Sequence, residues 1–363
     1  MSLTSHLRDP DSPVAQFISQ RFPQTRSITK VTNKRLRELT TMNPGFQPWV
    51  YSHLGRAIDY RIRYSFAITP SRSLVAMHGA LSLTTKLWES DDDIRFDWDD
   101  VPKGLPISIP MPVEEGGVFL DLAQGPYPLK LILSFFDTLD ATLQTIQPVG
   151  RRLALEEERL LARYCFVLGL FEEPYRSSHY AEGPLMLPAP RKSIEELLAI
   201  PEDAWVDDLC VLSTLFYDNY HHLLTLPHKL NPTFIGSNDV GGADADLIVN
   251  GWLIDIKATT GAKVDAQHVR QLVGYTLLDY SDKYHINSVG IYMARQGELF
   301  TWPVADFFCQ LTGDTTASVA QLRQEFRAQF QRKQATAKRS SGGLHDQDSV
   351  HCVFCSKVRD AGI

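Results

Sequence analysis

Apolar residues recur every three to four positions over residues 14–22, 49–63, 129–145 and 153–171, which predicts amphipathic helices. A basic segment at 30–42 precedes the punctuation Asn43-Pro-Gly, and the acids Glu156, Glu157 and Glu158 sit where the fourth helix should begin. Further helices are expected from Ser193 and over 205–224. The short runs 64–69 and 73–78 read as strands, and 79–125, rich in Pro, Gly and acids, as β-structure or surface loops. Residues 180–192 carry three prolines and read as a connector. Near residue 245 the period drops to two. Residues 245–249 and 252–257 then form two strands joined by Asn250-Gly251, a strong two-residue hairpin signal. A helix over 265–279, strands at 288–294 and 299–303, and a polar helix at 316–339 complete the pattern.

This order predicts an α/β (α+β) chain, a mixed sheet flanked by helices with a large, mostly helical N-terminal or inserted region. It divides into N-terminal helices (1–66), an accessory or inserted region (67–200), a sheet-bearing core (201–312) and a polar helix with a mobile tail (313–363). Composition agrees with a globular protein: 363 residues, 44% hydrophobic, can bury one large core or two smaller ones. No apolar run approaches the ~20 residues of a membrane span, and the start MSLTSHLRDPDSP lacks the order of a signal peptide. Five cysteines, only two of them close in sequence, do not suggest a disulfide framework. The expectation is a soluble cytoplasmic protein with no membrane partner.

The net charge of −7 offers no global attraction for nucleic acid, but charge is uneven. Between residues 21 and 72 ten Lys and Arg face two acids, and a local basic face can hold phosphates on an acidic protein. The stretch ESDDDIRFDWDD at 89–100 is the opposite.

The chemistry concentrates in GGADADLIVNGWLIDIKATTGAKVDAQHVRQLVGY, residues 241–275. Alternation puts Asp244 and Asp246 on one face of the first hairpin strand and Asp255 and Lys257 on one face of the second. So short a turn brings Asp246 and Asp255 together, where two carboxylates repel unless a cation joins them. Hard oxygen donors favour Mg²⁺ or Mn²⁺, with the Ile256 carbonyl as a further ligand. Lys257 would stand beside a phosphate undergoing hydrolysis. Gln267, Gln271 and Tyr275, spaced four apart, should share one helix face beside it.

Asp246, an eight-residue gap, Asp255-Ile256-Lys257 and then Gln271-x-x-x-Tyr275 resemble the PD-(D/E)XK nuclease superfamily, in particular its RecB-like branch. The resemblance spans 231–305, about a fifth of the chain. It implies a restriction-endonuclease-like sheet, Mg²⁺-dependent cleavage of DNA, with RNA left open, Asp246 and Asp255 as metal ligands, and Lys257 as the catalytic lysine. It also implies one more ligand upstream. Asp59, in a stretch with His53 and Gly55, and Asp218, beside His221 and His222, are both candidates, and Asp244 competes with Asp246. Defence, restriction or repair are roles found in that superfamily, and protein partners in a complex are compatible with it.

Two weaker signals remain. His345, His351, Cys352 and Cys355 include a Cys-x-x-Cys, but the adjacent His351 and Cys352 would strain a tetrahedral Zn²⁺ site and no second such pair exists. Some RecB-like nucleases hold an iron–sulfur cluster through C-terminal cysteines; only two of the expected positions are present. The basic residues of 316–339, Arg323 and Arg327 among them, could dock on DNA or a partner. Against the nuclease stand a catalytically silent nucleic-acid-binding scaffold subunit, and an ordinary hairpin in a helical interaction module. The last requires Asp246 and Asp255 to point into separate regions of solvent.

Overall fold

The computed structural model describes residues 2–84, 126–176 and 183–340, with the strand pair at 86–89 and 118–121. The acidic stretch at 90–100 and the Cys/His tail fall outside the described residues. The helices are α1 (Leu3–Arg8), α2 (Pro13–Arg21), α3 (Thr25–Leu36), α4 (Pro48–Phe66), α5 (Val75–Ser82), α6 (Leu129–Ile146), α7 (Leu155–Arg176), α8 (Ile194–Leu198), α9 (Asp203–Tyr220), α10 (Ala266–Leu278), α11 (Val304–Thr312) and α12 (Val319–Ser340). Strands β1 (Lys86–Glu89) and β2 (Val118–Asp121) pair antiparallel by themselves. Strands β3 (His228–Leu230), β4 (Leu247–Val249), β5 (Trp252–Lys257), β6 (Ser288–Met293) and β7 (Glu298–Pro303) form one five-stranded sheet in that order. Its pairs are antiparallel except β5–β6, which run parallel with α10 as the crossover between them.

The alternation of apolar side chains assigns each face of the sheet its own layer of helices. Leu247, Val249, Ile254, Ile256 and Tyr292 join the core built by α4, α5, α6, α7 and α9. Ile248, Leu253, Val289, Ile291 and Met293 join the core of α1, α2, α3, α10, α11 and α12. The molecule is thus helix on sheet on helix, with β5 as the middle strand. Asp255 and Lys257 have the parity of Leu253, so they face the layer that contains α10.

The β4–β5 turn follows its sequence signal closely. Asn250 and Gly251 both have positive φ, 49° and 80°, the condition of a type I′ turn. A Cβ at Gly251 would also come within 2.5 Å of the Asn287 amide.

Two expected strands are helices instead. Tyr64, Ser65 and Phe66 complete the last turn of α4, where Arg61 donates to Ser65 Oγ at 2.7 Å and the Ala67 N–H to the Arg63 carbonyl at 3.1 Å. Residues 75–82 form α5, because Ala76, Met77, Gly79 and Ala80 make a small-residue face that lies hard against α7. A Cβ at Gly79 would stand 1.9 Å from the Phe171 carbonyl oxygen, so the two backbones meet directly. The short helix α1, the edge strand β3 and helix α11 were not anticipated from the pattern; α1 and β3 are too brief to show a period, whereas Val304, Phe307, Phe308 and Leu311 of α11 do carry helical spacing.

Two buried ion pairs tie elements together, the first joining sheet to helices and the second joining three helices of one layer. Arg295, fully buried, donates to both oxygens of Asp208 at 3.1 and 2.8 Å and to the carbonyls of Met42 and Ala258. Arg61 grips both oxygens of Glu158 at 2.7 and 2.6 Å, and Ser213 donates to the same carboxylate.

Candidate functional site

Hairpin, crossover helix and α4 meet at the end of β5 around a cleft of about 300 Å³. Asp246, Asp255, Ile256 and Lys257 come to it from the hairpin, Gln271 and Tyr275 from α10, and Ser52, Gly55, Arg56 and Asp59 from α4. Asp246 and Asp255 therefore share one enclosure, and the separate-solvent geometry of an ordinary hairpin is not found.

Its polar groups form a chain. Asp255, 1% exposed, is ion-paired through Oδ2 with Lys257 Nζ at 2.6 Å. The same Nζ donates to Gln271 Oε1 at 3.1 Å, and Gln271 Nε2 donates to the Tyr275 hydroxyl at 2.7 Å. The Tyr275 proton is left free to donate toward the carboxylates. Asp246 Oδ2 accepts the Ile256 N–H at 2.6 Å, which fixes the acid to the strand across the hairpin.

Burial, then Asp59 and Asp255, pushes the Asp246 carboxyl well above the usual carboxylate range; Lys257 and the Ile256 N–H offset only part of this. Burial also lifts Asp59, to about 6, against the pull of Arg63 and with the push of Glu172 and Asp244. For Lys257 burial opposes the charge, but Asp255 and Asp246 outweigh it and hold the ammonium above the ordinary lysine range. Lys257 is thus a cation, not a base. Burial and the three aspartates Asp255, Asp246 and Asp244 keep the Tyr275 phenol neutral.

Position separates the upstream candidates. Asp59 lies on α4 in the cleft, held by Arg63, while its Oδ1 is buried with no hydrogen-bond partner. Asp218 is half exposed at the far end of α9, paired with Arg152 at 3.0 Å, and does not reach the cleft; His221 and His222 are exposed. Asp244 lines the cleft but belongs to Arg176, which donates to it at 3.0 Å. His53 is buried beside Arg56, and burial, then that cation, lowers it to about 4, so it is neutral. Gln267 departs from the expected face: its amide donates to the Leu7 carbonyl on α1 at 3.1 Å.

Two cleft residues gave no signal as site residues. Glu172 and Arg176 come from the end of α7, where Glu172 accepts from Tyr60 at 2.6 Å and from Arg176. The only hint was the pair of acids, Glu172 and Glu173, directly after the apolar run of 161–171. The basic segment also reads differently in three dimensions. Arg21, Arg35, Arg56, Arg61, Arg63 and Arg72 are engaged by acids. Arg26, Lys30, Lys34 and Arg37 are exposed on or next to α3. On α12, Arg323 is turned inward to Thr276 and Asp282, whereas Arg327 is exposed beside the Tyr280 ring.

Five carboxylates (Asp59, Glu172, Asp244, Asp246, Asp255) line the cleft, against three cations that bind them (Arg63, Arg176, Lys257). This donor set, all hard oxygen with one orphaned acceptor, suits a divalent cation of the Mg²⁺ or Mn²⁺ type. Among the described residues no three acidic, His or Cys side chains already stand in ligand geometry. Lys257 and Arg63 hold oxygens of Asp255 and Asp59, and Asp246 caps the Ile256 N–H. Among those residues, too, no helix is long and apolar enough to cross a membrane. Neither family models, nor curated proteins, nor solved structures yield a match to this chain.

Proposed function

We propose that the chain is a metal-dependent nuclease of the PD-(D/E)XK type, with a restriction-endonuclease-like core, acting on DNA. The observation that carries this reading is the meeting of Asp59, Asp246, Asp255 and Lys257 in one cleft, with Gln271 and Tyr275 chained to the lysine. Asp246, Asp255, Asp59 and the Ile256 backbone would hold Mg²⁺ or Mn²⁺. Such a cation supplies positive charge to a phosphodiester and makes water more acidic at neutral pH.

The protein's own groups do the rest. Lys257, kept protonated by Asp255 and Asp246, presents its charge to the negative charge that builds on phosphorus oxygens as water attacks. Gln271 restricts the ammonium to one direction by accepting one of its protons. The neutral Tyr275 buttresses Gln271 and keeps a donor toward the acids. Exposed Arg26, Lys30, Lys34 and Arg37 offer contacts for a polyanion. They hold a fixed place relative to the site, because Asn33 of α3 exchanges hydrogen bonds of 2.8 and 2.7 Å with Val264 in the loop after β5. A scaffold without hydrolysis has no use for five carboxylates crowded into one cleft.

The test is incubation of the purified chain with supercoiled, linear and single-stranded DNA and with RNA, in Mg²⁺, Mn²⁺ or EDTA, beside Lys257→Ala. Cleavage that needs the metal and disappears in Lys257→Ala supports the reading. Metal-dependent cleavage that survives Lys257→Ala refutes the assignment.

A further inference from the structure

A second polar cavity, of about 390 Å³, lies between α1, α2 and the start of α10. Arg8, Gln16, Ser19, Gln20, Gln267 and Arg270 contribute its polar lining, and no carboxylate lines it. Neither Arg8 nor Arg270 has an ion-pair partner among the described residues, and Arg270 Nε is buried without a hydrogen bond. Asp9 and Asp11 follow Arg8 in the chain but neither lines the cavity, and Asp9 accepts the Asp11 N–H at 3.0 Å. Two unpaired guanidiniums among amides and a hydroxyl are the chemistry of an anion site, and planar N–H forks match phosphate oxygens.

Its position says which phosphate. Helix α1 is the shared wall: Ser2, Leu3 and Thr4 line the acidic cleft, while Leu7 and Arg8 line the cavity. Along α10, Gln271 faces the cleft and Gln267 the cavity, one turn or about 6 Å apart along the axis. We infer that the Arg8–Arg270 cavity seats a backbone phosphate of the substrate strand beside the one being hydrolysed. This inference rests on the nuclease reading for the identity of the ligand. It adds a cationic holder for a polyanion beside a cleft whose five carboxylates would otherwise repel it.

The experiment is fluorescence anisotropy of a labelled oligonucleotide with the full chain in Ca²⁺ or EDTA over a range of salt, for wild type, Arg8→Gln/Arg270→Gln and Arg8→Lys/Arg270→Lys. Melting temperatures are recorded for each, and inorganic phosphate serves as a competitor. The neutral pair is expected to bind at least tenfold more weakly, with the log–log salt slope shallower by about 0.7–0.9 for one lost phosphate contact. The lysine pair should regain the slope. Unchanged affinity and slope in a folded neutral pair overturn the inference even where wild type cleaves DNA. So does Arg-dependent binding of inorganic phosphate with no Arg-dependent binding of the oligonucleotide. Arg-dependent binding by a protein that cleaves nothing upholds the cavity and removes the nuclease reading instead.

Discussion

The protein buries charge in two ways. In the Arg295–Asp208 and Arg61–Glu158 pairs each acid meets a bidentate guanidinium, and the remaining donors find carbonyls or hydroxyls. In the cleft five carboxylates are bound by three cations, the fourth, Arg56, being turned to His53 and Glu173; Asp59 Oδ1 has no partner, and the carboxyls of Asp59 and Asp246 are lifted by burial and by their neighbours. The first arrangement is balanced and serves the fold. The second is a standing excess of negative charge, which folding alone does not call for and which a cation would neutralise. Perturbed, uncompensated groups of this kind mark functional sites.

The contrast predicts opposite responses to substitution. Asp255→Ala, in the cleft, is expected to lose cleavage by about a thousandfold or more while the melting temperature changes little, measured by initial rates and calorimetry on one preparation; a loss of that size needs only ~4 kcal/mol of transition-state stabilisation. Asp208→Ala, in the balanced pair, should destabilise by about 3–5 kcal/mol in denaturant titrations, because it strands a fully buried arginine. Should both behave alike, the division between the two regions fails.

Asp59→Asn sharpens the same point. A carboxyl lifted from 3.8 to about 6 takes up its proton in the folded state before the unfolded chain does. In EDTA, stability is therefore highest below pH 4 for this group and falls as pH rises through 6. Replacing Asp59 by Asn should remove that fall, raising stability at pH 7.5 by about 1–3 kcal/mol while cleavage is lost. An Asn variant that is less stable at pH 7.5 would show that Arg63 balances Asp59 after all. The smallest effect belongs to Gly55. A Cβ there meets no atom within 4 Å, so Gly55→Ala should stabilise α4 by up to about 1 kcal/mol. Because Gly55 lines the cleft, Gly55→Leu should raise KM without unfolding the chain.

How much of this was legible beforehand depends on the range over which each feature is determined. The hairpin was readable because Asn250-Gly251 and the alternation around it are local, and strand β5 begins and ends where that pattern does. Gln271 and Tyr275 were readable because helical spacing is local too, although Gln267 is drawn aside by a carbonyl on α1, which no spacing encodes. Asp59 could not be separated from Asp218 by sequence, since the choice rests on α4 and not α9 reaching the sheet end. Glu172 and Arg176 were invisible because their role comes from α7 packing along α4. The false strands at 64–69 and 73–78 are segments whose apolar residues are buried on several sides, so that no single period dominates.

The central claim, that the cleft is a cation site, is tested most directly by calorimetric titration of the purified chain with Mn²⁺ at pH 7.5, beside Asp246→Asn/Asp255→Asn. Saturable binding with release of protons, absent from the double variant, is the result predicted by carboxyls held above their usual range. No saturable binding, or binding that the double variant retains in full, would contradict it.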